Sequence, residues 1–167
     1  MSYQSNRPVD CMEEVVKRNE NKVFRTAIAI TGSKADAEDI MQEAFLKLMQ
    51  AQKRFESTAH ETAWLLRVTV NLAKNHLRSH WWKKTVPLLE SYPAQPAEQQ
   101  ELMEQVLSLP AKYRTVIHLF YFEGYSTKEI AALTRCAESS VRAQLTRARR
   151  LLKSSLELEG GNYDEKV

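Results

Sequence analysis

The chain has 167 residues, of which 43% are hydrophobic and 27% charged, and its formal net charge is +3. This length allows one ordinary hydrophobic core or two small ones, so an architecture of several large domains is excluded. No apolar run reaches the roughly 18 residues that a membrane span needs, and the polar N-terminus lacks the apolar segment of a signal peptide. Cys11 and Cys136 are far apart in the sequence and form no CxxC pair, which is typical of reduced thiols. We therefore expect a soluble, cytoplasmic protein.

The predicted elements are all helices, because alternating β-branched runs are nearly absent and only four glycines punctuate the chain. A first helix is predicted to begin after Asp10 and to end at Gly32. Ser33 is then predicted to cap a second helix, since Asp36 follows it three residues later. The buried stripe of this second helix is predicted to consist of Met41, Ala44, Phe45 and Leu48.

A long third helix is predicted from about Thr62 to His80, after a less regular stretch over residues 51–61. Its inward-facing residues are predicted to be Trp64, Leu65, Val68 and Leu72. Residues 85–97 contain three prolines and no basic residue, which is typical of a linker. The sequence therefore predicts two helical domains, over 9–84 and 98–157, joined by a flexible linker.

The second domain is predicted to hold helices near 98–108, 110–123, 127–134 and 138–157, the last two forming a helix-turn-helix. Gly124 ends one helix, and Ser126 with Glu129 forms a capping box for the next. The final helix has an apolar stripe of Val141, Leu145, Ala148 and Leu152. Five basic residues and one acidic residue lie between positions 138 and 153. This excess favours a DNA-binding helix over the alternative of a merely solvated cationic helix.

Three segments in this order resemble the extracytoplasmic-function (group IV) members of the sigma-70 family, the promoter-specificity subunits of bacterial RNA polymerase. Residues 37–45 (AEDIMQEAF) are similar to the polymerase-binding segment of region 2. Residues 64–78 (WLLRVTVNLAKNHLR) resemble the helix that recognises the minus-10 promoter element. Residues 109–122 (LPAKYRTVIHLFYF), followed by the helix-turn-helix, resemble region 4.

Four positions depart from the family pattern. Val70 stands where an arginine is common, and Asn75 stands where an aspartate is common, so the usual duplex contacts are in doubt at both. In the turn of the helix-turn-helix, Arg135 replaces the familiar glycine and Ala137 replaces the usual capping hydroxyl. The turn is therefore expected to be strained, or to be capped instead by Glu138 or Ser139.

The resemblance implies a binding subunit rather than an enzyme, with no cofactor and no small-molecule substrate. Its implied partners are core RNA polymerase, through the β′ and β subunits, and promoter DNA. A cognate anti-sigma factor, often membrane-anchored, is implied as well. The residues implied to dock on the polymerase are Asp36, Asp39, Gln42 and Glu43. From spacing alone, an ordinary solvated acidic face is the alternative.

For the minus-10 element, the resemblance places a flipped nontemplate base against the loop that precedes the Trp64 helix. Opening a duplex requires a base to be unstacked and held outside the helix. Binding of the base in a pocket and of the strand in a basic groove offsets the free-energy cost of unstacking. The implied contact residues are Phe55, Ser57, Thr58, Trp64, Arg67, Asn71, Lys74 and Arg78. Core packing is the alternative role for Phe55 and Trp64.

For the minus-35 element, the N-terminal turns of the last helix are expected to enter the major groove. The contact residues implied by the match are Ser126, Lys128, Ser139, Ser140, Arg142, Ala143, Thr146 and Arg147. Arg142 or Arg147 is the natural candidate for a bidentate contact to guanine, and Ser126 and Lys128 are expected to hold phosphates.

Two other classes of function fit the sequence less well. A stand-alone helix-turn-helix regulator leaves the acidic second helix and the aromatic and basic third helix unexplained. A nucleic-acid enzyme would need a phosphate loop, an HExxH motif, clustered carboxylates or a Cys/His nucleophile arrangement, and none of these occurs.

His76 and His80 could form half of a zinc site, but no further ligand at metal-ligand spacing completes it. We therefore expect no metal.

Overall fold

The structure, a computed structural model, describes the backbone of residues 9–80 and 104–158 and the side chains of residues 12–79 and 104–155. All regular secondary structure in these ranges is helical, which confirms the predicted all-α fold. The chain divides into two compact units, Met1–Val86 and Pro87–Val167. The predicted linker over 85–97 lies outside the described residues.

The first unit consists of three helices: α1 (Val9–Thr31), α2 (Lys34–Ala51) and α3 (Thr58–His80). Each packs against the other two. The junction of α1 and α2 is the predicted one, because Gly32 adopts a φ of 69°, in the left-handed region that favours glycine. Ser33 then caps α2, its Oγ accepting a hydrogen bond from the Asp36 amide at 3.3 Å.

The start of α3 differs from the prediction, because the helix begins at Thr58, about one turn earlier than Thr62. Ser57 caps it, since its Oγ accepts from the His60 amide at 3.1 Å. Two polar contacts then attach this first turn to α1. Arg18 forms a 2.9 Å ion pair with the buried Glu61, and the Thr62 hydroxyl donates to the Asn19 side chain at 2.6 Å.

The buried faces of α2 and α3 differ in part from the prediction. In α2, Ala44, Phe45 and Leu48 are buried as predicted, but Ile40 is buried as well and Met41 is only half-buried. In α3, Leu65 is buried as expected, whereas Trp64, Val68 and Leu72 are half-buried. The other buried residues of α3 are Glu61, Thr62, Leu66, Thr69, Val70 and Ala73. Thr69 can be buried in this face because its side chain is small and its hydroxyl donates a hydrogen bond to the Leu65 carbonyl, at 2.7 Å.

The second unit contains a helical segment α4 (104–108), then α5 (Ala111–Ile117), α6 (Thr127–Thr134) and α7 (Glu138–Leu158). Helix α7 packs against both α5 and α6. Arg114 is buried and joins α5 to the segment before it, because its Nη1 donates to the carbonyls of Leu107 at 3.3 Å and Leu109 at 3.1 Å. Burial lowers the pKa of this guanidinium, which nevertheless stays charged at neutral pH.

Helix α5 continues into a π-helical turn, His118–Phe122. The Glu123 amide donates to the His118 carbonyl at 3.1 Å, and the side chains of the same two residues form a buried 3.3 Å pair between His118 Nε2 and Glu123 Oε1. Gly124 follows with a φ of 74°, and the Tyr125 amide reaches back to the Leu119 carbonyl at 3.0 Å. The predicted helix therefore ends at the predicted glycine, but through a widened last turn.

The helix-turn-helix forms as predicted. Ser126 and Glu129 make a reciprocal capping box, with side-chain to amide distances of 3.2 and 3.0 Å. The apolar stripe of α7 packs on the supporting helix and on α5, and all of its predicted members are buried: Val141, Leu145, Ala148 and Leu152. The exposed surface of α7 is therefore the opposite face.

Candidate functional site

The acidic face of α2 is exposed where the sequence predicted a docking surface. Asp39, Gln42 and Glu43 all lie on the solvent side, away from the buried Ile40 and Ala44. Two carboxylates one helical turn apart concentrate negative charge on this face, which suits a basic partner.

Asp36 differs from the other three residues predicted to dock. Its Oδ2 lies 3.0 Å from His76 Nε2 on α3, and both side chains are largely covered. This contact joins the N-terminal turn of α2 to the C-terminal half of α3. The side chain of Asp36 therefore already has an intramolecular partner.

An apolar groove lies beside the acidic face and was missed by the sequence analysis. Leu46 and Met49 are 54% and 58% exposed. The groove is lined by Val16, Met41, Gln42, Phe45, Leu46 and Met49. Large exposed apolar side chains clustered on one face typically mark an interaction site. The signal was present in the sequence, because Leu46 and Met49 lie off the buried stripe of α2 and so cannot contribute to the same core.

The stretch between α2 and α3 brings together three aromatic rings. Phe55 is only 2% exposed and packs edge-on against His60 at 5.3 Å and Trp64 at 5.8 Å between ring centroids. This burial favours the core-packing alternative for Phe55. Ser57 and Thr58 are exposed, and Trp64 is half-buried. These three side chains are therefore the ones that can meet an unstacked base.

The other residues predicted for the minus-10 element follow one another along α3. Arg67, Asn71, Lys74 and Arg78 are spaced at i, i+4, i+7 and i+11, which places them on one helical face. Arg67 and Arg78 are exposed, whereas Asn71 and Lys74 are half-buried. Val70, which stands where the family commonly has an arginine, is fully buried. Its side chain therefore belongs to the core and faces away from the exposed surface of α3.

All eight residues predicted for the minus-35 element are exposed. Two of them lie at the start of α6, and the other six cover the first half of α7; they are Ser126, Lys128, Ser139, Ser140, Arg142, Ala143, Thr146 and Arg147. The exposed N-terminal turns of α7 can enter a major groove, which admits an α-helix.

The two candidate base-reading arginines have different partners. Arg142 Nη2 donates to Glu138 Oε1 at 2.8 Å, and the same oxygen accepts from the Thr127 hydroxyl of α6 at 2.9 Å. Arg147 instead hydrogen-bonds with Tyr113 of α5, and this bond lowers the pKa of the tyrosine. Neither contact is predicted by the sequence.

The turn of the helix-turn-helix is strained as expected. Arg135 has a φ of 55°, in the left-handed region that favours glycine. Its backbone amide donates a hydrogen bond to the Ala131 carbonyl of α6. Capping of α7 by Glu138 or Ser139 was the alternative to strain, and the Glu138 carboxylate instead binds the Thr127 and Arg142 side chains. Cys136 in this turn is a half-buried free thiol.

Arg149 is less available than its place in the basic run predicted. It is half-buried, its Nε donates to the Tyr121 hydroxyl at 2.8 Å, and its guanidinium lies 5.7 Å from the centroids of both the Phe120 and Tyr121 rings. Arg150 and Lys153 are exposed. Arg150 and Lys153 are therefore the exposed basic side chains in the second half of α7, within the described side chains.

Across residues 9–80 and 104–158, no helix is long and apolar enough to cross a membrane. In the same part of the chain, no group of three or more His, Cys, Asp or Glu side chains is placed to hold a metal ion. The side chain of His80, considered above as half of a zinc pair, lies outside the described side chains.

Comparison with protein families gives two matches in chain order. Residues 15–83 match the model of Sigma-70 region 2, and residues 99–152 match that of Sigma-70, region 4. Together they cover all three groups of candidate residues described above.

Similar curated proteins are RNA polymerase sigma factors. The ECF RNA polymerase sigma factor SigL of Mycobacterium tuberculosis is 32% identical over 146 residues, which are 81% of this chain and 82% of SigL. The probable RNA polymerase sigma factor RfaY of Xanthomonas campestris is 31% identical over 85% of this chain, and the ECF sigma factor SigE of Mycolicibacterium smegmatis is 29% identical over 86%. The chain spans only 39% of RfaY and 61% of SigE.

Two solved structures share the fold. The sigma factor RpoE of Bartonella quintana, solved with the anti-sigma factor NepR, aligns with a TM-score of 0.73 at 22% identity, covering 94% of this chain and all of RpoE. CnrH, solved with the cytosolic domain of CnrY, aligns with a TM-score of 0.62 at 22% identity, covering 90% of each chain.

Proposed function

Because this chain belongs to the extracytoplasmic-function branch of the sigma-70 family, with regions 2 and 4 in order, we propose that it is a promoter-specificity subunit of bacterial RNA polymerase. In this function it binds the core enzyme, recognises the minus-35 and minus-10 elements and melts the promoter. It works by binding and carries no chemical step of its own.

The observation that carries this proposal is the difference in chemical character between the exposed faces of the helices. Helix α2 presents carboxylates beside an apolar groove, whereas α3 and α7 present arginines and small polar side chains. A protein partner and a nucleic acid are the natural complements of these faces. A stand-alone regulator would not need the acidic and apolar face of α2.

For the core polymerase, Asp39, Gln42 and Glu43 supply charge and hydrogen bonds, and Leu46 and Met49 supply apolar area. Charged groups around an interface speed encounter and select the partner, while buried apolar side chains contribute most of the affinity. The combined surface fits a basic, partly apolar element of the β′ subunit, with further contacts to β.

For the promoter, the division of labour follows from the state of the DNA that each helix meets. The exposed first half of α7 suits an intact major groove at minus-35. The segment around Ser57, Thr58 and Trp64 suits an unstacked base at minus-10. The face of α3 with Arg67 and Arg78 suits the backbone of the adjacent duplex.

The remaining partners and the domain limits are part of the same proposal. RpoE was solved with the anti-sigma factor NepR, and CnrH with the cytosolic domain of CnrY. We therefore extend to this chain a cognate anti-sigma factor anchored at the membrane, while the sigma factor itself acts in the cytoplasm. The domain limits stay at 9–84 and 98–157, with a linker over 85–97.

Binding with and without the core enzyme tests the function against that of a stand-alone regulator. We expect the isolated chain to bind promoter DNA at least about 100-fold more weakly than its complex with core polymerase, because the complex engages both elements at once. Fluorescence anisotropy with one labelled promoter measures both affinities. Tight, specific binding by the isolated chain, unchanged by core polymerase, would favour the regulator.

Substitutions at Ser57 and Thr58 test the proposed role in melting. Ser57→Asn keeps a capping side chain of equal quality, and Thr58→Ala alters an exposed position, so the fold should be preserved. Displacing the hydrogen-bonding group at Ser57, or removing the one at Thr58, should weaken the hold on the captured base and reduce open-complex formation about tenfold. Permanganate footprinting of unpaired thymines measures this loss, and promoter variants measure the minus-35 preference, which should not change. A parallel fall in melting temperature would instead indicate a purely structural role.

A further inference from the structure

Glu138 connects three parts of the helix-turn-helix through a single carboxylate oxygen. Its Oε1 accepts from the Thr127 hydroxyl in the first turn of α6 at 2.9 Å and from Arg142 Nη2 one turn further along α7 at 2.8 Å. The Glu138 side chain is 37% exposed and that of Arg142 is 66% exposed. An exposed arginine on the recognition face is thus tied, through Glu138, to the supporting helix.

The charge at this position is well defined. The hydrogen bond from Thr127 lowers the pKa of the Glu138 carboxyl, and the hydrogen bond and charge of Arg142 and the charge of Lys128 act in the same direction. The side chain is therefore ionised at neutral pH. It is the only acidic residue between positions 138 and 153, on a helix that otherwise carries five basic residues there.

The geometry leaves Arg142 able to read a base. A guanidinium has five N–H groups, so one bond from Nη2 leaves the other Nη2 hydrogen and both Nη1 hydrogens for an end-on bidentate contact with guanine. An arginine held in one direction before binding loses less rotamer freedom when the contact forms. An arginine without such a restraint can turn to a phosphate, which is present at every sequence.

We propose that Glu138 is a positioning residue for minus-35 recognition, which holds the Arg142 guanidinium for a guanine edge and discourages its contact with neighbouring phosphates. This inference rests on the proposed function, since it requires α7 to face the minus-35 duplex. Glu138 lowers affinity for DNA in general and raises discrimination between sequences. Arg147 differs, because its partner Tyr113 is a neutral hydroxyl in place of a carboxylate.

The test uses the polymerase holoenzyme with Glu138→Ala and Glu138→Gln, each made in the parent chain and in Arg142→Ala. Binding is measured over a salt series to two promoters that differ only at the minus-35 base pair preferred through Arg142. With Glu138→Ala, we expect discrimination to fall about fivefold. Affinity for the mismatched promoter should rise about threefold, with a steeper salt dependence, because a repulsive charge is lost.

Glu138→Gln separates the two effects of the carboxylate. The amide oxygen can still accept from Thr127 and Arg142, so discrimination should stay closer to that of the parent than in Glu138→Ala. Affinity for the mismatched promoter should rise as it does in Glu138→Ala, because both variants remove the charge. In the Arg142→Ala background, neither substitution should alter discrimination.

Five outcomes would overturn the inference. Equal losses of affinity for both promoters would mean that Glu138 only supports the turn, as would a large fall in melting temperature. Loss of discrimination that persists in the Arg142→Ala background would mean that Glu138 does not act through Arg142. If Arg142→Ala itself leaves discrimination unchanged, the minus-35 surface is wrongly assigned and the inference fails with it. If Arg142→Ala matters and Glu138→Ala does not, only the inference fails.

Discussion

Replacing both Asp39 and Glu43 by lysine is expected to weaken binding to core RNA polymerase by about 100-fold, because placing like charges together at an interface costs several kcal/mol. Both side chains are exposed and lie away from the buried stripe of α2. Their replacement should therefore change the free energy of unfolding by only about 0.5 kcal/mol. Competition with a labelled sigma factor for core enzyme measures the affinity, and thermal unfolding measures stability.

A matched control is available on α1, where Glu14 and Glu20 are also exposed. Replacing that pair by lysine makes the same change in net charge, and we expect it to leave polymerase binding within about twofold of the parent, as for charges outside an interface. If the control pair weakens binding as much as the α2 pair, the effect comes from overall charge. If the α2 pair instead lowers the melting temperature while binding stays normal, these residues serve folding.

Substitution of Arg142 or Arg147 should relax minus-35 preference, since a bidentate contact between arginine and guanine gives about 1–3 kcal/mol of discrimination. Lysine variants sharpen the experiment beyond alanine, because lysine keeps the charge but lacks the planar fork. We expect Arg142→Lys and Arg147→Lys to lose most of the preference while keeping most of the affinity for unrelated DNA. Transcription from a panel of minus-35 variants measures the preference.

Arg150 and Lys153 provide the contrast within the same helix. Both are exposed but lie beyond the residues expected to reach the bases. Their replacement by alanine should weaken binding about equally on all promoters and reduce the salt slope by about one per charge. Intact minus-35 selectivity in the Arg142 and Arg147 variants, together with altered selectivity in Thr58→Ala, would show that the two DNA surfaces have been exchanged.

The parts of the fold that the sequence predicted well depend on contacts between residues close in the chain. The capping box needs only Ser126 and Glu129, three residues apart, and the stripe from Val141 to Leu152 needs only the helical period. Both predictions are confirmed because nothing distant competes with these local signals. Gly32 and Gly124 likewise end their helices where positive φ angles are required.

The parts that the sequence did not predict depend on partners far along the chain. The inward face of α3 was assigned with Trp64 as a core residue, but packing against both α1 and α2 buries Leu66 and Val70 instead. A large aromatic residue can be placed at the edge of a core, so it is a poor guide to the centre of a buried face. The earlier start of α3 has a similar origin, because Arg18 pairs with Glu61 across 43 positions.

The candidate sites divide in the same way. Exposure of the six minus-35 residues on α7 follows from its apolar stripe, because all six lie off that stripe. The bonds from Glu138 to Thr127 and from Arg147 to Tyr113 cross between helices, so helical periodicity cannot predict them. The role of Phe55 likewise cannot be decided from the sequence. An aromatic residue beside polar ones indicates equally a stacking platform and a buried anchor, and only its tertiary contacts distinguish the two.

Because of the π-helical turn at His118–Phe122, the direction in which the chain leaves α5 depends on how many residues the turn contains. A π-helical turn accommodates one residue more than an α-helical turn, so deleting one residue there would let α5 close as a regular helix. Each residue of an α-helix advances the chain by about 100°. The deletion would therefore re-aim the chain as it enters α6 while leaving every side chain of the recognition helix unchanged. A variant of this kind would keep the whole set of base-reading residues and present them in the wrong direction.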